Sequence, residues 1–207
     1  MTASPQHPSA PSAAAPATPD PGSRPRGRRR GRGSEPPATG AAAADREPDA
    51  HEVARTIALR QLTMAPRSRS QLEDKLRQKG CDEQIATEVL DRLEEVGLID
   101  DTAYAQMLVR SQQASRGLAR RALRHELRKK GVDDDTAAEA LDQVSDEAEV
   151  EQARELVAKK LRSMHGLDAT VQARRLAGML ARKGYGGDVA WRVVREAVDG
   201  AEEHRRD

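Results

Sequence analysis

"LRKKGVDDD", residues 127–135, holds a complete helix ending: a leucine, cations, a glycine, then acids suited to starting the next helix. Near-copies flank it, "LRQKGCDEQ" at 76–84 and "LARKGYGGD" at 180–188. The glycines Gly80, Gly131 and Gly184 are 51 and 53 residues apart. Each fits the position just past a helix, where the backbone turns left-handed and only glycine does so without strain. The residue four back is Leu76, Leu127 or Leu180, and the residue just after is Cys81, Val132 or Tyr185. A Schellman ending brings those two positions into apolar contact, so all three glycines read as structural helix stops. Lys79, Lys130 and Lys183 precede them, where a cation favours the negative end of the helix dipole.

The repetition continues on both sides. Five and six residues after each glycine stand Ile85/Ala86, Thr136/Ala137 and Val189/Ala190. Nine and ten after stand Val89/Leu90, Ala140/Leu141 and Val193/Val194. This is a helical core stripe in triplicate. Upstream, "SQLE" offers a capping box between Ser70 and Glu73, opening a helix with Leu72 and Leu76 on one face. Further back, Ala105–Leu108–Val109 and Ala153–Leu156–Val157 share an "AxxLV" pattern that Ala54–Ile57–Ala58 follows loosely. Breaks at "MAPRS", "KGCD", "LIDD", "ASRG", "KGVDD", "MHGLD" and "KGYGGD" separate about nine helices.

The fold expected is all-α: three tandem three-helix repeats stacked as an elongated, curved array. A unit this small is expected to need its neighbours to bury its apolar face. The repeats are assigned to 51–101, 102–146 and 147–200, with disordered ends at 1–50 and 201–207. Ten of the eleven prolines lie within 1–48, and no Leu, Ile, Val or aromatic residue precedes Val53, so the first segment has nothing with which to build a core. Charged residues are 33% of the chain and aromatics 1%, which disfavours sheet. A single cysteine, Cys81, forms no internal disulfide and suits a reducing compartment. Without an apolar segment after the early arginines, neither an export signal nor a membrane span is expected, which points to the cytoplasm.

Net charge is only +1, yet the charges are segregated. Residues 116–130 carry Arg116, Arg120, Arg121, Arg124, Arg128, Lys129 and Lys130 against Glu126 alone. The following 133–151 carries nine acids and no Lys or Arg. The first repeat has the same polarity, with Arg69, Lys75, Arg77 and Lys79 before its glycine and eight acids against Arg92 between Asp82 and Asp101. The third is less polarised, with Arg174, Arg175, Arg182 and Lys183 but also Arg192 and Arg195 on its last helix. If the second helices of successive units lie side by side, these cations, Lys183 included, form a basic stripe along the array, backed by an acidic one and able to contact nucleic acid. Solvated helix faces with i,i+4 ion pairs are the competing explanation. A second cluster, Arg24, Arg26, Arg28, Arg29, Arg30 and Arg32, lies in a segment that Pro and Gly keep from being helical. It suits salt-dependent, sequence-blind phosphate contacts or a solubilising role.

No catalytic constellation emerges. The five histidines are scattered without metal-ligand spacing, and "GYGGD" lacks the Lys-Ser/Thr of a phosphate loop. Cys81, without a nearby histidine, reads as a small packing residue. Tyr185 and Trp191 read as core or capping contacts rather than base-stacking platforms. No enzyme activity, cofactor or metal is expected.

"SRSQLEDKLRQKG", "VLDRLEEVGLIDDTAYAQMLVRS" and "HELRKKGV" closely resemble the RecX family of recombination regulators, most specifically through "GLIDD…YA" followed by "LRKKG". The resemblance covers roughly 53–198, is strongest over 70–132, and excludes the arginine-rich segment. It implies a bacterial cytoplasmic protein, without enzyme activity or cofactor, that binds the RecA filament along its groove. It further implies inhibition of ATP hydrolysis, strand exchange and co-protease activity, hence a part in recombination and the SOS response, and non-specific binding of single- and double-stranded DNA. Met107 and Leu108 stand where family members often carry an aromatic. The alternative is a helix-turn-helix transcription regulator. Against it, the helix after the glycine, which would enter the groove, is the acidic one in the first two repeats.

Overall fold

The computed structural model describes residues 49–206, so the arginine cluster at 24–32 falls outside the described residues. Among these residues there are nine helices and no strand. The first triplet is α1 (Ala50–Met64), α2 (Arg69–Gln78) and α3 (Glu83–Glu95). The second is α4 (Asp101–Arg116), α5 (Arg120–Lys129) and α6 (Asp134–Asp142). The third is α7 (Asp146–Leu161), α8 (Ala169–Arg182) and α9 (Gly187–Arg206), the last running into the stretch expected to be disordered.

Local chemistry accounts for the helix starts and stops. Asp49, Asp82, Asp100, Asp133 and Asp168 each accept a hydrogen bond from a first-turn amide, as do Ser68 and Ser145. The three glycines end α2, α5 and α8 with φ of 78°, 73° and 89°. Each ending is a Schellman motif. The amides of Cys81, Val132 and Tyr185 donate to the carbonyls of Leu76, Leu127 and Leu180 at 3.1, 3.2 and 3.1 Å. The capping box of α2 falls two residues earlier than expected, on Ser68 and Gln71 rather than Ser70 and Glu73. Ser68 takes the role because its hydroxyl also reaches outside the helix, donating to the carbonyl of Lys130.

Each triplet has a core of its own, and the third also takes in Ala119 from its neighbour. Leu72, Leu76, Leu90 and Ile99 fill the first, Leu123, Leu127 and Leu141 the second, and Leu176, Leu180, Val193 and Val194 the third. Six, nine and ten residues after the glycine the side chains are buried in all three copies, and five residues after they are half-buried. The loose first copy of "AxxLV" is genuine, with Ala54 and Ala58 buried and Ile57 packed against the same cluster.

Successive triplets meet end-on rather than along helix flanks. The start of α2 sits on the end of α5, and the start of α5 sits on the end of α8. At the first junction Ser68 reaches Lys130, and the Arg69 amide donates to Asp101 Oδ1 at 2.8 Å. At the second the Ala119 amide donates to the Lys183 carbonyl at 2.9 Å, and the Arg120 amide to Glu149 Oε2 at 3.0 Å. That neighbouring carboxylate explains why α5 alone among α1–α8 starts without a side-chain cap of its own. Twelve residues before each glycine lies the residue that the junction buries, Ser68 in the first triplet and Ala119 in the second. Ala119 belongs to the third triplet's core.

The end-on contact gives two of the glycines a second role. A Cβ on Gly131 would overlap the Ser70 side chain, and one on Gly184 would lie 2.6 Å from the Ala122 nitrogen. Around Gly80, which no other triplet among the described residues covers, there is nothing within 4 Å.

Candidate functional site

The second helices meet tip to tip, so the cations expected in one side-by-side stripe are distributed by the junctions instead. Arg69 and Arg120 hold the same register, eleven residues before their glycines, and both are tied to carboxylates. The Arg69 guanidinium pairs with Asp91 and Glu94 on α3. Arg120 pairs with Asp146 at 2.7 Å and donates to the Val144 carbonyl, bridging to the start of α7. Lys183 is part of the second junction too, its Nζ donating to the Arg116 carbonyl. Burial, then the Arg116 charge, holds its ammonium below the ordinary lysine range.

Other members of the expected stripe pair within their own triplet. Arg77 bridges Glu73 and Asp74, both at 2.9 Å. Arg128 forks onto Asp134 across the glycine turn at 2.7 and 3.0 Å, holding that carboxyl below its usual range. Arg116 lies 3.7 Å from Glu126, and Lys75 donates to Gln78 at 2.8 Å. Lys75 and Lys183 thus bond only neutral oxygens, and Lys79, Arg121, Arg124, Lys129 and Lys130 likewise have no ion pair among the described residues.

The first junction is polar on both sides, with opposite sign. A hollow of about 450 Å³ is lined by Gln61, Arg67, Gln71, Lys75, Gln78 and Lys129, with Asp74 its one acid. Another, of about 600 Å³, is lined by Glu73, Glu94, Asp100, Asp101 and Asp133, with Arg69 its one cation. The junction thus carries one hollow in which cations outnumber acids and another in which acids outnumber cations. Burial raises the Asp101 carboxyl above its usual range despite its bond from the Arg69 amide.

Sequence reasoning undervalued the third triplet. Between 156 and 187 stand seven basic residues against Asp168 alone, a balance as one-sided as that of 116–130. Lys160, Arg174, Arg175 and Arg182 line a hollow of about 380 Å³ between α7 and α8. None of the four has an ion pair among the described residues. Arg192 and Arg195, the cations that make the third copy less polarised in sequence, lie on α9, where Arg195 pairs with Asp199 at 3.5 Å. The signal was present in the window 156–187 and was lost by counting over the whole repeat.

Of the two late aromatics, Tyr185 behaves as expected. It is buried, its hydroxyl donates to the Gly117 carbonyl at 3.2 Å, and burial pushes its phenol up to about 12. Trp191 does not. It is 64% exposed, because it lies seven residues after Gly184, off the buried stripe at six, nine and ten. Cys81 is half-buried beside the uncovered Gly80.

Three successive stretches match family models described as RecX, first three-helix domain (54–93), second (100–141) and third (147–194). The chain belongs to the RecX family. Curated relatives named Regulatory protein RecX include one from Streptomyces lividans, 55% identical over 151 residues, covering 73% of this chain and 80% of that protein. Another, from Thermobifida fusca (strain YX), is 46% identical over 167 residues, covering 81% and 89%. Among solved structures, that of RecX from Lactobacillus salivarius aligns with a TM-score of 0.65 at 26% identity, covering 71% of this chain and 96% of that one. A second crystal structure of a regulatory protein RecX gives 0.64 at 26% identity, covering 72% of each chain. The RecX assignment thus spans all three triplets, including the third, where the sequence resemblance was faintest. No helix among the described residues is long and apolar enough to cross a membrane.

Proposed function

We propose that this chain is a cytoplasmic regulator of homologous recombination and the SOS response that binds RecA filaments. It inhibits their ATPase, strand-exchange and co-protease activities without chemistry or a cofactor of its own. It also binds DNA non-specifically through cations of the first junction, the end of α2 and the α5 surface, Lys75, Lys79, Arg121, Arg124, Lys129 and Lys130 foremost. The observation that carries the reading is the match of all three triplets, in order, to the RecX three-helix domains.

The junctions make the reading physically sensible. Hydrogen bonds and close glycine contacts fix each triplet to the next, so contact surfaces recur in a set register. A partner built of repeating subunits can then be held at several points at once. Many weak contacts sum to a tight one only while the partner stays assembled. Co-sedimentation with RecA assembled on single-stranded DNA, compared with free RecA, tests this. Retention by the filament and little by free RecA is expected. Equal retention by both would overturn the filament-directed part of the reading.

A further inference from the structure

The third triplet differs from the other two at one register. In the first two, the residue twelve before the glycine starts the second helix, and the residues just after it dock on the next triplet. Ser70 there faces Gly131, and Ala122 faces Gly184. Among the described residues no fourth triplet follows the third, and the residue at this register is Gln172. It is buried at 2% exposure, and its Nε2 donates to the Met164 carbonyl at 3.0 Å. The helix does not start there but runs one turn further back, to Ala169. The residues that would have docked, Arg174 and Arg175, are left exposed.

These two arginines join Lys160 and Arg182 around the 380 Å³ hollow between α7 and α8. Gly178 leaves room for Arg182, whose Nη1 would lie 3.4 Å from a Cβ placed there. Ser163, also in the lining, spends its hydroxyl proton on the Lys160 carbonyl at 2.7 Å. The hollow lies in the cleft that corresponds to that of the cationic hollow of the first triplet. Gln61, Gln71 and Gln78 there occupy the registers of Lys160, Arg175 and Arg182 here.

We propose that this hollow, at the junction register left open among the described residues of the third triplet, is a phosphate site that grips the backbone of a single DNA strand. The inference rests on the nucleic-acid half of the function proposed above. A phosphodiester brings only acceptors, and the charged lining brings only donors. An extended peptide would bring amide donors as well, and the charged side chains here offer them no acceptor. Arginine suits the task because its planar fork donates two parallel bonds to one phosphate.

The test is salt-dependent binding of a fluorescent oligothymidylate to the full chain. The unsubstituted chain is compared with Arg174→Ala/Arg175→Ala and Arg121→Ala/Arg124→Ala, each verified as folded by circular dichroism. Loss of two single-strand phosphate contacts lowers the slope of log affinity against log salt by about 1.4, roughly 0.7 for each. That drop in the first variant supports the proposal. A drop confined to the α5 variant overturns it and leaves the nucleic-acid reading standing, while no binding by the unsubstituted chain overturns both. Two competitors separate the other sources of anion. If Arg174→Ala/Arg175→Ala binds the strand normally but no longer binds tripolyphosphate, the site takes small polyphosphates instead. If it loses only polyglutamate, the site takes an acidic protein segment.

Discussion

Substituting alanine for each of two glycines separates the two roles that the end-on junction assigns to this residue. Gly80→Ala places a side chain at φ 78° with nothing within 4 Å, so its cost is the left-handed backbone alone, about 1–2 kcal/mol. Gly184→Ala carries that cost at φ 89° and sets its Cβ 2.6 Å from the Ala122 nitrogen and 2.7 Å from its Cβ. The nearest atom is backbone within a helix, so it cannot rotate away. The start of α5 must move off the end of α8. That strains three hydrogen bonds: the Ala119 amide to Lys183, the Arg120 amide to Glu149, and the Tyr185 hydroxyl to Gly117. At roughly 0.5–1.5 kcal/mol each, they bring the total for Gly184→Ala to about 2.5–6.5 kcal/mol. Urea unfolding at constant m-value reads both changes from the shift in midpoint. Equal losses from the two substitutions would refute the close approach, since only the backbone term would then be at work.

Other consequences of the structure are open to direct measurement. Ser68→Ala removes a helix cap and the only side-chain bond to the Lys130 carbonyl at that junction, and is expected to lower stability by about 1–3 kcal/mol in the same unfolding assay, whereas Ser70→Ala lowers it by a few tenths. His51 and Glu88 join α1 to α3 at 2.9 Å; the bond to Glu88 raises the imidazole and lowers the carboxyl. Stability from the histidine is fully present below about pH 6.5 and lost as pH rises through its raised folded pKa. Stability from the glutamate is present above about pH 4.3 and lost as pH falls through its lowered folded pKa. The melting-temperature gap between the natural chain and His51→Ala is therefore widest between those limits and closes towards alkaline pH. Trp191, the lone tryptophan, is 64% exposed, so its fluorescence is expected to be readily quenched by acrylamide in the folded protein and to shift little on unfolding.

Much of the fold can be read from the spacing of a few residues. The three glycines, the leucines four before them and the apolar pairs after them recur at offsets that only stacked copies of one helical unit explain. What that pattern leaves open is decided by neighbours distant in sequence. Ser68 and Ser70 both stand three residues before a side chain that can close a capping box. Only the Lys130 carbonyl, 62 residues away, selects Ser68. The direction in which triplets join is equally hidden, because Asp101 and Glu149 look like ordinary first-turn acids until they are found capping another triplet's helix. Trp191 was legible in hindsight, since the first copy has Thr87 at the same offset, a polar residue facing water. Cation counts say where positive charge lies along the chain. They do not say that Arg69, Arg77 and Arg128 are neutralised by acids in their own triplet while Arg174 and Arg175 are not.

The central claim, that a chain of three RecX triplets acts on an assembled recombinase filament, is tested most directly by ATP hydrolysis. RecA is preassembled on single-stranded DNA and this protein is titrated in well below the RecA concentration. Inhibition at substoichiometric amounts is the expected result, because one chain would engage several filament subunits. Unchanged hydrolysis at equimolar protein would contradict the claim.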